Sequence, residues 1–226
     1  MNAFSRNAKQ GDLLLIADAA LQLHYAWDLD FDADPTADLD WEAFDERLDR
    51  LESLLANGGS AYTVSRDSRC LVLRVDETVE AAARLAIHVA SDAAADHLRQ
   101  AWAATYGISP DPDKAMHEAI RAVEDVACPL VQNRHAGNNL ATLGTVLGEL
   151  RGNAAHLWEL VLPDKEGQPR TVENLVGMME TLWHAQVSRH GGGAKSRRQS
   201  QAEAEAAVQL AVLIVHWLKT GVLRRK

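Results

Sequence analysis

Two histidines and an arginine lie within the stretch HAQVSRHGGG, residues 184 to 193: His184, Arg189 and His190. Cleavage of RNA without a metal needs a base for the 2′-hydroxyl, an acid for the leaving oxygen and a cation for the developing charge. Histidine suits the first two roles because it titrates near neutral pH, and arginine suits the third. The three residues are therefore candidate catalytic groups, with the histidines as the acid–base pair and Arg189 as the stabilising cation.

Glycines and positively charged residues follow the second histidine. Three glycines at 191–193 would let backbone approach a phosphate, and Lys195, Arg197 and Arg198 form a candidate patch for nucleic acid or another anion. The same residue types are also typical of a helix C-terminus, where glycine caps the carbonyl groups and cations offset the helix dipole. Residue types alone favour this structural interpretation over the catalytic one.

Helices must position these residues, because apolar side chains recur at helical spacing through most of the chain. Residues 76–107 are rich in alanine and predict one long helix, bent near Ser91 and stopped by Gly107. A second predicted helix runs from Trp41 to Leu55, with Asp40 as its cap and Gly58 and Gly59 at its end. A third contains the apolar stripe from Met116 to Ala127 and is limited by Pro129. The remaining predicted helices are 11–27, 172–186 and 201–220.

Strand signals are confined to one place. Residues 61–64 and 70–75 are rich in β-formers and flank a polar turn, which predicts a single hairpin. Residues 154–162 predict a short helix instead. The expected fold is therefore mainly α, a helical bundle with one small β-hairpin in the N-terminal half.

The length of 226 residues suits one large domain or two small ones. The connector ISPDPD predicts a boundary that divides an N-terminal helical region with the hairpin, 1–108, from a C-terminal helical domain, 109–226. The last helix is apolar on nearly every side from Ala206 to Leu218. Such a helix belongs in the core of a bundle, in preference to a subunit interface alone.

Composition excludes several functional classes. The net charge of −9 argues against nucleic-acid binding by the whole surface, although it allows a local basic patch. Cys70 and Cys128 have no metal spacing and predict a reducing, cytoplasmic compartment. The start lacks the apolar core of a signal peptide, and the longest apolar stretch is shorter than the roughly 18 residues of a membrane span, so no membrane is expected.

Cofactor and metal motifs are missing from the sequence. The segment GTVLGELRG lacks the lysine and the spacing of a phosphate loop, and the histidines form no tight metal set. Alternating aspartates from Asp28 to Asp34 resemble a calcium loop, but Ala33 and Leu39 stand where that loop needs glycine and glutamate. We therefore predict no cofactor and no metal.

Three pieces of the second half occur in an order that is typical of a known family. They are PDPDKAMHEAIRAVEDVACPLV (110–131), ATLGTVLGEL (141–150), and RHGGG followed by AEAAVQLAVLIVHWL. Across about residues 110 to 220 the chain resembles the abortive-infection C-terminal (Abi-like) family of bacterial proteins. Earlier in the chain, GGSAY and LRVDETV resemble the lead-in of actinobacterial members.

The Abi-like family is similar to the HEPN superfamily, all-helical domains of toxins and phage-defence ribonucleases that typically act as dimers with a composite site. The resemblance implies a HEPN-like C-terminal half. The HEPN motif consists of an arginine followed, after about four to six residues, by a histidine, and His190 with Gly191 would stand at the histidine position. The arginine position then falls near residue 184, where this sequence has His184 followed by Ala185. Histidine does not replace a guanidinium fork, so this departure disfavours nuclease activity.

The resemblance therefore implies a bacterial phage-defence protein of the abortive-infection type that binds RNA or another defence protein and forms a homodimer. Two alternatives stay open at this point. One is a metal-independent ribonuclease of the toxin type. The other is a non-catalytic dimeric scaffold or an antitoxin-like module.

Overall fold

A computed structural model describes residues 10–29, 41–67, 69–131, 141–152, 155–186 and 197–226. Helix makes up 68% of the described chain, which confirms the predicted mainly-α fold. The chain divides into two compact units. The first unit comprises the described residues up to Val75 together with Tyr106–Pro110, and the second comprises Asp76–Thr105 and the described residues from Asp111 onwards.

The first unit contains two helices and the predicted hairpin. They are α1 (Gln10–Leu29), α2 (Trp41–Asn57), β1 (Tyr62–Ser65) and β2 (Cys70–Leu73), with the two strands paired antiparallel. The buried side chains Leu21, Leu48, Val64 and Leu71 form its core. Asp18 of α1 is buried as well, and its carboxylate accepts a hydrogen bond from the backbone N–H of Leu71 at 2.7 Å.

The second unit is built around the last helix. Its helices are α3 (Glu77–Val89), α4 (Asp92–Tyr106, up to Thr105 in this unit), α5 (Pro112–Val131), α6 (Leu143–Arg151), α7 (Glu173–Ala185) and α8 (Gln201–Lys219). α8 packs against α3, α5 and α7 and buries eight of its residues. The prediction that this apolar helix lies in the core is therefore confirmed.

The compact units differ from the predicted division between residues 108 and 109. The reason is that α3 packs on α8, which draws residues 76–105 into the second unit. The prediction of one long helix over 76–107 is wrong, because Ala90 takes an extended conformation at φ −68° and ψ 165°. Ser91 and Asp92 follow, and both residue types favour the start of a new helix over the interior of an old one.

The prediction that strands are confined to the hairpin is also wrong. A second, three-stranded antiparallel sheet has the order β4 (Pro169–Arg170), β3 (Trp158–Pro163), β5 (Leu223–Arg225). The prediction of a short helix over 154–162 is therefore wrong for the described residues of that segment. They form a short 3₁₀ turn that leads into β3. Trp158 and Leu160 are buried and alternate with more exposed neighbours, which is the period of a strand.

The predicted helix ends agree better with the structure. α2 ends before Gly58 and Gly59, and Gly59 takes a positive φ of 66° that suits a C-terminal glycine. α7 and α8 match the predicted ranges to within a few residues. α5 runs two residues beyond Pro129, the proline predicted to limit it.

Candidate anion-binding cleft

A cleft of about 590 Å³ opens between α5 and the end of α7 in the second unit. α5 contributes most of its walls, and α7 contributes one wall. The lining residues are Asp113, Lys114, His117, Ile120, Arg121, Glu124, Trp183 and Gln186. We call this feature the candidate anion-binding cleft.

The sequence of α5 places three basic side chains on one face. Lys114, His117 and Arg121 lie at positions i, i+3 and i+7, which share a side of an α-helix. All three are exposed. In the part of the chain that the structure describes, no ion pair or hydrogen bond engages any of these side chains. They are therefore available to an anionic ligand.

Two carboxylates in the cleft are occupied by backbone donors. Asp113 Oδ1 accepts a hydrogen bond from the N–H of Gln199 at 3.0 Å. Glu124 Oε1 accepts one from the N–H of Leu143, the first residue of α6, at 2.8 Å. Both carboxylates keep their negative charges, which offset the formal charges of Lys114 and Arg121. Lys114 and Arg121 keep side-chain donors that are unused among the described residues, so the cleft can offer hydrogen bonds to an incoming acceptor.

The α7 wall carries an aromatic ring. Trp183 and Gln186 lie three residues apart on the cleft side of the last turn of α7. A Cβ atom added at Gly144 would lie 3.0 Å from Cζ2 of Trp183, so glycine at this position lets the ring lie close against the first turn of α6. The half-buried ring is held in place and lines the cleft, where a flat ligand could stack on it.

Gln199 connects the segment before α8 to the cleft through two hydrogen bonds. Its side chain is 5% exposed, and Nε2 donates to the backbone carbonyl of Ala185 at 2.8 Å. Its own N–H binds Asp113. The residues on both sides of segment 187–196 are therefore held at the rim of the same cleft. This segment contains part of the predicted catalytic stretch.

Of the predicted catalytic residues, only His184 is described. It lies in the last turn of α7 with 68% of its side chain exposed, and its Nε2 is 3.6 Å from Glu180 Oε1. Glu180 also pairs with Arg151 of α6, and this hydrogen bond, together with His184, lowers the pKa of the Glu180 carboxyl. His184 does not line the cleft.

Arg189 and His190 lie outside the described residues, as does Lys195 of the predicted patch. Whether His184, Arg189 and His190 converge therefore stays a prediction. Two patch residues are described. Arg198 is exposed and forms no ion pair among the described residues.

Arg197 has a structural partner. Both of its terminal nitrogens bind the carboxylate of Glu203 in the first turn of α8. Glu203 also accepts from Ser200 and closes a capping box with it. The Arg197 and Ser200 hydrogen bonds lower the pKa of Glu203 to about 2. Arg197 thus stabilises the start of α8, which leaves less of its charge for a ligand.

Sequence reasoning missed the basic face of α5. The available signal was the spacing in KAMHEAIR, where Lys114, His117 and Arg121 recur on one side of a helix. The contribution of Trp183 and the link through Gln199 had no comparable signal. Both depend on residues about 70 to 86 positions away in sequence.

A second polar cluster joins α4 to α5. His97 Nδ1 lies 2.5 Å from Glu118 Oε2, and His97 Nε2 lies 3.5 Å from Asp125 Oδ2. Glu118 is mostly buried. Within the described residues no group of three histidine, cysteine or acidic side chains is arranged to hold a metal ion. The contacts of His97 link α4 to α5.

The two cysteines offer no nucleophile. Cys70 and Cys128 are both free and buried. Burial raises the pKa of the Cys70 thiol to about 12 and that of Cys128 to about 11. The reactive thiolate is therefore scarce at neutral pH.

Among the described helices, none combines the length and apolar character needed to cross a membrane. Comparison with protein-family models, with curated proteins and with solved structures finds no match to this chain. The resemblance to the Abi-like family and the HEPN superfamily therefore stays a prediction.

Proposed function

We propose that this chain binds single-stranded RNA in the candidate anion-binding cleft, as a bacterial phage-defence protein of the abortive-infection type with a HEPN-like C-terminal domain. One observation carries the binding proposal: three basic side chains that have no partner among the described residues share a face of α5 opposite the ring of Trp183. Single-stranded RNA offers both complementary groups, phosphates for the cations and unstacked bases for the ring.

The size of the basic face favours a short stretch of single strand. Lys114 and Arg121 are seven residues apart, so they span roughly 10 Å along the helix at about 1.5 Å per residue. The net charge of −9 opposes wider contact with a polyanion. Binding is therefore local, and it rests on a few phosphates and one stacked base.

Salt dependence provides a quantitative check. If Lys114 and Arg121 each neutralise one phosphate, the logarithm of the association constant falls with the logarithm of salt concentration with a slope of about −1.4. A threefold rise in salt should then weaken binding about fivefold. A slope near zero would contradict phosphate contact in the cleft.

The test is fluorescence anisotropy with a labelled, mixed-sequence single-stranded RNA of about ten nucleotides. Arg121→Ala removes a charged donor from the cleft and should weaken binding about tenfold. Lys219→Ala is the matched control, because Lys219 is an exposed cation at the end of α8 that does not line the cleft. Equal affinities for wild type, Arg121→Ala and Lys219→Ala would refute the cleft as the binding site.

The proposal includes a cytoplasmic homodimer. The buried, free cysteines support a reducing compartment, and the family resemblance supports a dimer. Sedimentation at micromolar concentration tests the dimer directly. A dimer that binds no RNA would favour the scaffold or antitoxin-like alternative.

A further inference from the structure

The solvent side of α8 is apolar along most of its length. One side of α8 packs against α3, α5 and α7, and residues at i, i+4, i+8, i+11 and i+15 lie together on the opposite side. Three of these five residues are exposed and two are half-buried: Ala202, Ala206, Leu210, Leu213 and Trp217. A surface helix normally carries charged residues on its solvent side, but none occurs in α8 between Ala206 and Leu218. An apolar surface of this kind is typical of an interaction site.

The apolar surface extends from α8 onto α3. Leu85 of α3 is 50% exposed and Leu213 of α8 is 38% exposed, and both border one open depression between the two helices. We call the five α8 residues together with Leu85 the apolar face. Helices of 19 and 13 residues, each about 10 Å across, present roughly 500 Å² in plan, and their side chains expose more than the plan area. Specific interfaces bury about 800 Å² per partner, so the apolar face suits a dimer at the weak end of that range.

Side-chain size along α8 favours an antiparallel copy of the same helix. The apolar face is small near the start of α8, at Ala202 and Ala206, and large near its end, at Leu213 and Trp217. If a second α8 lies antiparallel, Ala206 faces Leu213 of the other copy and Ala202 faces its Trp217. One two-fold axis gives both contacts, because the two residue pairs have the same midpoint along the helix. Each small side chain then leaves room for a large one, whereas a parallel pair would place alanine on alanine and tryptophan on tryptophan.

Charges at the two ends of α8 favour the same direction. Glu205 lies near the start of the helix, and Lys219 lies exposed in its last turn. An antiparallel pair brings the acidic start of one α8 beside the basic end of the other, whereas a parallel pair would bring like charges together. Exposed ion pairs contribute little free energy, so these charges favour one direction of pairing and the apolar contacts provide the affinity.

We propose that a second copy of this chain covers the apolar face, with the two α8 helices antiparallel and Ala206 against Leu213 of the other copy. The inference rests on the homodimer of the proposed function and names its surface. It does not depend on RNA binding, because the apolar face shares no residue with the lining of the candidate anion-binding cleft. The small area implies a dissociation constant on the order of 1 µM.

The surface is tested by sedimentation of the full chain over about 0.1–10 µM. Leu213→Glu places a charge in the apolar face of each copy and should raise the dissociation constant at least a hundredfold, about tenfold or more per copy. Leu130→Glu is the matched control: Leu130 of α5 is 37% exposed but lies outside the apolar face, and its replacement should leave the constant within twofold of wild type. Circular dichroism establishes that each variant is folded. A dimer that Leu213→Glu leaves intact would overturn this surface alone, whereas a monomeric wild type would overturn the homodimer as well.

The direction of pairing is tested by disulfide cross-linking. Ala206→Cys and Leu213→Cys are oxidised separately and as a mixture, and the native Cys70 and Cys128 are buried. The mixture should give a cross-linked dimer. Either variant alone should not, because the two copies of one position lie about 10 Å apart along the helix axis, beyond the roughly 7 Å between Cα atoms that a disulfide can bridge. Cross-linking of each variant with itself, or no cross-link in the mixture, would overturn the antiparallel arrangement.

Discussion

Replacing His97 by alanine should destabilise the second unit substantially, because the buried carboxylate of Glu118 depends on this ring. Glu118 lies 2.5 Å from Nδ1 and has no other hydrogen bond among the described residues, and Asp125 lies 3.5 Å from Nε2. Glu118 and Asp125 are seven residues apart on α5 and therefore share a face. Without His97, the buried carboxylate of Glu118 would lose its hydrogen-bond partner, with Asp125 on the same face of α5.

The magnitude follows from burial. Leaving a buried hydrogen-bonding group without its partner costs about 1–3 kcal/mol, and more when the group is charged. The side chains of His97 and Glu118 are 18% and 10% exposed, so water still reaches them in part. We therefore expect a loss of about 2–3 kcal/mol in the free energy of unfolding. In a unit of this size, that corresponds to a fall of roughly 5–10 °C in melting temperature.

The assay is urea unfolding followed by circular dichroism, with the two units fitted as separate transitions if they are resolved. His88→Ala is the matched control, because His88 is an exposed histidine on α3 without a partner in the described residues, and it should change stability by less than about 0.5 kcal/mol. Glu118→Gln should recover much of the loss in the His97→Ala background by removing the unpaired charge. His97→Ala should lower the free energy of unfolding less in the Glu118→Gln protein than in the wild-type protein. Equal losses in the two proteins would refute the reasoning from the unpaired carboxylate.

Three further predictions concern other parts of the molecule. The lowered pKa of Glu203 means that its carboxylate stabilises the fold fully above its ordinary value of 4.5 and loses this contribution as pH falls towards about 2. The melting temperature of Glu203→Gln should therefore lie below that of wild type at pH 7 and converge with it near pH 2, and a constant difference over that range would contradict the prediction. Asp18→Ala leaves the buried N–H of Leu71 without its acceptor and should destabilise the first unit by about 1–3 kcal/mol in urea unfolding, whereas an unchanged midpoint would show that the bond contributes nothing. Incubation with mixed RNA in EDTA should leave the RNA intact, because the sequence has His184 where the proposed resemblance to the HEPN motif would require an arginine. Metal-independent cleavage that His190→Ala reduces by about a hundredfold or more would instead establish the ribonuclease alternative.

Local signals predicted the parts of the fold that local interactions determine. The hairpin at Tyr62–Ser65 and Cys70–Leu73 has a short turn between its strands, and α2 ends at glycines that suit a helix terminus. The sheet formed by β3 and β5 was missed because its strands pair across about 65 residues. Three residues of β5 carry too short a pattern to indicate a strand on their own.

The candidate functional residues, inside and outside the cleft, divide in the same way. The basic face of α5 was present in the sequence as a spacing, and Glu180 and His184 are an i, i+4 pair on α7. That Glu180 also binds Arg151 could not be inferred from the sequence, because the two residues meet only when α6 packs on α7. The sequence therefore indicated which residues could do chemistry, whereas tertiary packing determined which of them are already engaged.

The central position of α8 has a consequence for protein synthesis. About 90 residues separate the end of α5 from the end of α8, which covers the buried face of α5 in the folded unit. At translation rates of about 5–20 residues per second, the nascent chain presents that face for roughly 5–20 s before its packing partner has been made. In the first unit, β2 follows α1 within about 50 residues, so the corresponding interval is about half as long, roughly 2–10 s. The buried face of α5 therefore stays without its main packing partner for longer during translation than the face of α1 that β2 covers.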